Sequence, residues 1–416
     1  MLRQILALVV IFVCTTIAWI VLGATIFSRT YSSNDQLQGH VASTWGSEQL
    51  QSPPTAIYTV NDTVSSSTVE KGRVVLHSRN VPCQLLLPLD ASRIHVKFNL
   101  TPRQKGLLWY STYTLAFSGD YSFRNDTAQD HLVDFRLKFP AQKAIYDGLR
   151  MSVNGQPVVP STDDSGATVQ ATLKPGDTAN LQVAYRSQGL NTWRYQLGDG
   201  VAQARDFTLT IQTDFRDVDF ADDTLSPTSK RLIPGGWELI WQYSNLIAGF
   251  QIGMTMPAKL QPGPLAGEIS YAAPISLFFF FFLMFIITTL RKIELHPMNY
   301  FFLAAAFFAF HLLLAYLVDH VSIHVAMVIS SVVSVGLVVS YLRVVVGLRF
   351  AVFEAGAAQL VYLVLFSYAF FWKGFTGLAI TVIAIITLLV VMQATGRIRW
   401  SERFAAGSPL PTPKVS

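Results

Sequence analysis

The chain has 416 residues, of which 51% are hydrophobic and only 14% charged, with a formal net charge of +5. That is too apolar for an ordinary soluble protein of this length. The charge is also uneven: residues 28–270 carry 21 Lys and Arg against 22 Asp and Glu, and the remainder 10 against 4. No segment interleaves a basic patch with aromatics, so the basic balance is not a nucleic-acid footprint.

Residues 5–27 form an apolar run with one basic residue, Arg3, ahead of it and no clean small-x-small cleavage site before Ser28. The run exceeds the roughly 7–15 residues of a signal-peptide core, so residues 1–27 read as an uncleaved membrane anchor. Residues 28–72, rich in Ser, Thr, Asn and Gln with Pro53 and Pro54 in the middle, read as a polar tether and first strands. Asn61-Asp62 offers a turn there.

From residue 73 to residue 259 the apolar period is two. Val133, Phe135, Leu137 and Phe139 alternate with Asp134, Arg136 and Lys138, and the same alternation returns at Val169–Leu173 and Phe207–Ile211. Asn154-Gly155 is a type I′ hairpin signal; Pro175-Gly176 and Gly198-Asp199-Gly200 mark further reversals. Such spacing favours one large antiparallel β-sandwich; residues 160–166 are the best internal boundary for the alternative of two β units, or else a loop within one sheet pair. Trp237, Leu239, Trp241 and Tyr243 share one strand face, as do Trp193, Tyr195 and Leu197, and core packing is the commoner use of such area. Asp214, Asp217, Asp219, Asp222 and Asp223 lack the spacing and glycine of an EF-hand and read as a solvated loop. Cys83 lies in this region and Cys14 in the first span, so the two cannot pair, and neither CxxC nor zinc spacing occurs.

Residues 260–270 are a Pro- and Gly-rich connector. Five further apolar runs follow at residues 271–290, 300–318, 325–342, 351–371 and 376–394, each about the 20 residues needed to cross roughly 30 Å of hydrocarbon. They make residues 271–395 a five-helix bundle, and residues 396–416 a short tail. With Met1 inside, the inner segments carry Arg3, Arg291, Lys292, Arg343, Arg349, Arg397, Arg399 and Arg403, and the outer loops only Lys373. This bias puts both termini in the cytoplasm and the long β segment outside. The fold class is therefore a mixed membrane protein: a large extracytoplasmic antiparallel β-sandwich plus six transmembrane α-helices, one N-terminal and five C-terminal.

No GxSxG, HExxH, SxxK, P-loop or GxGxxG motif occurs, and the reading is non-enzymatic, with no catalytic residue, metal ligand or cofactor assigned. Ionisable positions inside the membrane are the functional candidates because burial there is costly. His311 lies in the middle of the third span; Asp319, His320 and His324 gather at its outer end; Glu354 lies near Arg349 at the inner end of the fifth. His296 and Pro297 open the third span, where the missing proline N–H costs nothing.

Leu295-His296-Pro297-Met298-Asn299-Tyr300, followed by an aromatic-rich span and then Asp319-His320, resembles the membrane region of the CreD family of bacterial inner-membrane proteins. Residues 103–113, residues 227–230 and Gly236, Trp237 and Trp241 are similar to family patterns more loosely. The resemblance implies an inner-membrane location, a periplasmic domain and a role in cell-envelope integrity or stress response; it implies no reaction and no site residues. The reading is a membrane-fixed envelope protein whose outer domain binds a protein or glycan partner. Two alternatives stand beside it: a transporter or channel component using His311 and the Asp319 cluster, and a periplasmic hydrolase.

Overall fold

The computed structural model describes residues 2–32, 34–70, 73–142, 144–198, 202–372 and 374–396. The expected reversal at Gly198-Asp199-Gly200 lies partly outside the described residues, and Lys373 and the tail arginines Arg397, Arg399 and Arg403 wholly so. The chain divides into two compact units, one of Met1–Asp35, Gly106–Leu108 and Leu260–Ser416, the other of Gln36–Lys105 and Trp109–Lys259.

Helix α1 (Leu2–Tyr31) is followed by the short α2 (Asn34–Thr44), and after the strands come α3 (Pro262–Arg291), α4 (Pro297–Leu317), α5 (Ile323–Val345), α6 (Leu348–Phe371) and α7 (Thr376–Thr395). All except α2 are long and apolar enough to cross a membrane. Helix α3 begins earlier than the connector reading allowed. Pro262 and Pro264 fall in its first turn, where no intrahelical N–H partner is lost, so helix runs through residues expected to be irregular. Its 30 residues span about 45 Å.

In lipid, helices gain little from apolar burial itself and associate through close packing. The first unit shows this at α1. Trp19 is 0% exposed and meets Phe308 and His311 of α4 edge-on, at 5.7 and 5.6 Å. Along the α1–α3 seam a Cβ on Gly23 would stand 3.0 Å from the Tyr271 ring, and one on Gly267 would stand 2.7 Å from Phe27. Phe280 of α3 and Phe307 of α4 lie 4.6 Å apart. Within α6, Ala351–Gly356 and Leu360–Leu365 are wound as π-helix.

The strands, in chain order, are β1 (Gln49–Gln51), β2 (Thr55–Glu70), β3 (Arg73–Leu86), β4 (Leu89–Leu100), β5 (Arg103–Lys105), β6 (Leu108–Tyr110), β7 (Thr112–Arg124), β8 (His131–Lys138), β9 (Tyr146–Val153), β10 (Gln156–Val158), β11 (Ser161–Asp163), β12 (Gly166–Leu173), β13 (Thr178–Leu190), β14 (Thr192–Tyr195), β15 (Ala202–Gln212), β16 (Ser229–Ile233), β17 (Gly236–Ala248) and β18 (Ile252–Thr255). One sheet has eight strands in the order β10-β9-β13-β7-β4-β15-β17-β16, and the facing sheet five, β11-β12-β8-β2-β3. Their inner faces share one core: Phe123 of β7 and Phe135 of β8 approach to 5.5 Å, and Trp193, Trp241, Phe98, Tyr121 and Phe207 are buried in it. The aromatic rows are thus core. Among the described strand pairs, pairing is antiparallel except where β4 runs parallel to β15 in the larger sheet and β1 parallel to β14 in a small one. No hairpin constrains β4 and β15, which lie far apart in sequence, so either direction is available to them.

Asn154 and Gly155 both take positive φ, 50° and 78°, as a type I′ turn between β9 and β10 requires. Two local expectations change. Part of the tether is the helix α2, and Asn61-Asp62 is not a turn: these residues lie inside β2, paired with Pro82 and Val81 of β3. The β2–β3 ladder overrides the local turn preference, and Pro82 is tolerated because β3 is an edge strand.

At the β11–β12 turn, Asp163 Oδ1 accepts hydrogen bonds from Ser165 Oγ and N at 2.6 and 2.7 Å and from Gly166 N at 2.9 Å, while Oδ2 lies 3.0 Å from Arg136 Nη2. The Ser165 bonds foremost hold its carboxyl below the usual carboxylate range, with Arg136 a lesser cause. A depressed folded pKa contributes stability that is present above the unfolded value of about 3.9 and is lost as pH falls through the lower folded one. Protection of the Ser165 and Gly166 amides, taken relative to the intrinsic exchange rate at each pH, is therefore expected to hold down to about pH 4 and to fall below it, whereas Asp163→Asn is less protected at neutral pH already.

Candidate functional site

His296 is the N-cap of α4, with extended backbone (φ −71°, ψ 147°) and Nδ1 accepting from Met298 N at 3.3 Å; Pro297 is the first helical residue. His311 is 1% exposed. Its Nδ1 lies 2.9 Å from the Phe307 carbonyl and must carry the proton, since a carbonyl only accepts. Trp19 and Phe310 meet the ring edge-on.

The Asp319, His320 and His324 group does not act as one cluster. Asp319 pairs with Arg29 of α1 at 2.9 Å, and Arg29 also reaches the Ala315 carbonyl at 3.2 Å and covers the Tyr316 ring. His324 stacks on Phe371, and His320 is exposed. Glu354 does not pair with Arg349. The partner is Arg291 at the end of α3, with Nη2 2.6 Å from Glu354 Oε1.

Sequence reasoning passed over a neutral polar seam deeper in the bundle. Gln359, 0% exposed and placed between the two π segments of α6, donates from Nε2 to Ser334 Oγ at 2.8 Å, and Ser334 donates to the Ala306 carbonyl of α4 at 2.6 Å. Ser276 of α3 donates to the Tyr362 carbonyl, and the Tyr362 hydroxyl lies 2.6 Å from Thr387 Oγ1 of α7. The signal was there: Ser330 and Ser334 are four residues apart on one helix face, opposite a glutamine inside an apolar span. These groups tie helices together.

In the β unit the chemistry-bearing surface is the face of the eight-stranded sheet turned away from the core. Strand alternation exposes Arg93, His95 and Lys97 on β4, Ala116, Ser118 and Asp120 on β7, and Gln182 and Arg186 on β13. Register sets them in rows. Arg186, Ala116, Lys97 and Gln212 are consecutive across β13, β7, β4 and β15; Arg150, Ala184, Ser118, His95 and Thr210 form the next row, starting on β9. The small residues Ala116, Ser118, Ala184 and Gly148 floor a depression of about 370 Å³ ringed by these longer side chains. Within the acidic cluster, Asp214 accepts from Leu100 N and Asp219 from Phe220 N.

No curated protein matches the chain. Among solved structures, a Legionella pneumophila protein provisionally described as nutrient binding is 11% identical over 47% of this chain and 71% of its own, with a TM-score of 0.32. An M1 zinc metallopeptidase from Deinococcus radiodurans is 13% identical over 40% of this chain and 42% of its own, with a TM-score of 0.23. The family comparison falls instead on the helices: residues 268–401, which hold most of α3, all of α4 to α7 and the Leu295–Tyr300 motif, match the family described as inner membrane protein CreD, bearing out the resemblance carried by that motif.

Proposed function

We propose that this is an inner-membrane envelope protein whose β unit lies outside the cytoplasm and binds a protein or glycan partner without catalysis, in the service of cell-envelope integrity or stress response. The observation that carries it is the distribution of Lys and Arg among the segments joining the helices. Arg291 and Lys292 lie between α3 and α4, and Arg343 and Arg349 around the α5–α6 junction, whereas the α4–α5 junction holds Asp319 and His320. Basic residues are retained on the cytoplasmic side. The β unit is inserted between α1 and α3, so both its ends enter the membrane from the face opposite Met1. Its near-neutral charge agrees with that side.

Cys83, exposed on β3, tests the orientation. In a Cys14→Ser background a membrane-impermeant maleimide is expected to label Cys83 in cells whose outer membrane alone is permeabilised. Labelling that begins only when the inner membrane is opened reverses the orientation and removes the outer-domain reading with it.

A further inference from the structure

We propose that the depression on the open face of the eight-stranded sheet is an oxyanion site that takes a phosphate or carboxylate carried on a polar, hydroxyl-rich molecule, with Lys97, Arg150 and Arg186 as the charged ligands. The proposal rests on the reading of the β unit as a binding module and names the chemistry it recognises.

Three observations converge on it. The first is unspent charge. Among the described residues Arg93 is paired with Asp206, Arg124 with Asp126, Arg136 with Asp163 and Arg231 with Glu238, yet Lys97, Arg150 and Arg186 are in no ion pair. Glu238, which flanks Gln212, is held by Arg231 at 2.6 Å and by Gln212 at 3.0 Å. Asp147 is the register partner of Arg186 but lies beyond ion-pair distance of it, and no acidic residue lines the depression.

The second is spacing. Arg186 and Lys97 flank Ala116 from the two adjacent strands, and strands lie about 4.8 Å apart. Their side chains therefore start roughly 10 Å apart over a floor that has nothing larger than a methyl group between them. Two long cations across such a gap close on an anion more readily than on each other. Arginine matches a carboxylate or phosphate edge with two parallel N–H donors.

The third is the remainder of the wall. Ser118, Thr210, Gln212 and His95 offer further donors and acceptors around the charged group, and the Phe117 and Tyr185 rings at its border are buried in the core and not turned to it. About 370 Å³ is within the range of small-molecule sites and exceeds what a bare phosphate needs. The fit is to an acidic or phosphorylated sugar or polyol, held by its charge and hydroxyls.

The test is titration calorimetry on the full chain in neutral detergent with glucose 6-phosphate, glucuronate and glucose. Both charged probes are expected to bind and glucose not to bind, with affinity falling as NaCl rises. Arg186→Ala and Arg150→Ala each weaken binding about tenfold, the loss of one charge-assisted contact. Arg186→Lys recovers part of it, and Lys138→Ala, on the other sheet, has no effect. All these residues are exposed, so folding is not at risk. Equal binding of glucose, an unchanged affinity in the Lys97, Arg150, Arg186 triple alanine variant, or absence of binding by both charged probes would overturn the proposal. Reconstitution in nanodiscs separates the sources. Displacement of glucose 6-phosphate by phosphatidylglycerol but not phosphatidylcholine identifies a lipid headgroup, and indifference to both identifies a diffusible or polymer-borne anion. Cys83 labelling is independent of all these outcomes, so loss of the anion site would leave the orientation reading standing.

Discussion

Trp241→Ala is expected to destabilise the β unit by about 3–5 kcal/mol, the range for emptying a fully buried tryptophan site. Trp241 is 0% exposed in the core between the sheets and packs edge-on against Phe220. Its indole N–H donates to the Leu225 carbonyl at 2.8 Å. Truncation therefore leaves both a cavity and an acceptor without its donor. Thermal unfolding followed by near-ultraviolet circular dichroism on the full chain in detergent measures it. Trp241→Phe should lose the hydrogen bond but retain most of the packing, and fall between the two. A Trp241→Ala protein melting with the wild type would remove this residue from the core.

Arg291→Ala is expected to cost roughly 1–3 kcal/mol of bundle stability, because it strands a largely buried carboxylate. Glu354 is 16% exposed in its side chain, and its Oε2 has no hydrogen-bond partner, so Arg291 is what satisfies it. Arg291 itself is 56% exposed, which holds the figure below that of a fully buried pair. Glu354→Gln should recover much of the loss when combined with Arg291→Ala, since the orphaned charge is then gone. A double-mutant cycle in detergent, read by thermal aggregation, checks both points. Additive losses would show that the two side chains do not interact.

The division into apolar rods and an alternating β segment was legible because both signals are sums over many residues. The 20-residue runs and the period-two pattern at Val133–Phe139 survive any local error. The motif at Leu295–Tyr300 was readable as well, since Pro297 and His296 act through local backbone geometry. What escaped depends on partners remote in sequence. Nothing near Glu354 points to Arg291, and Asn61-Asp62 reads as a turn until β3 is known to lie alongside. The same holds for Gln359, whose partner Ser334 is on another helix. It holds most of all for the open sheet face: Lys97, Arg150 and Arg186 are three ordinary outward residues in three separate strands, and only register sets them around Ala116.

The parallel seam between β4 and β15 also orders events during synthesis. Residues 92–97 cannot find their neighbours at 207–212 until more than a hundred further residues have left the ribosome, a lag on the order of ten seconds at cellular elongation rates. Throughout that interval one edge of β4 is an unfilled template for strand addition. The nascent chain carries that open edge until β15 arrives, so mutations that slow β15 should be read out as aggregation before they are read out as lost stability.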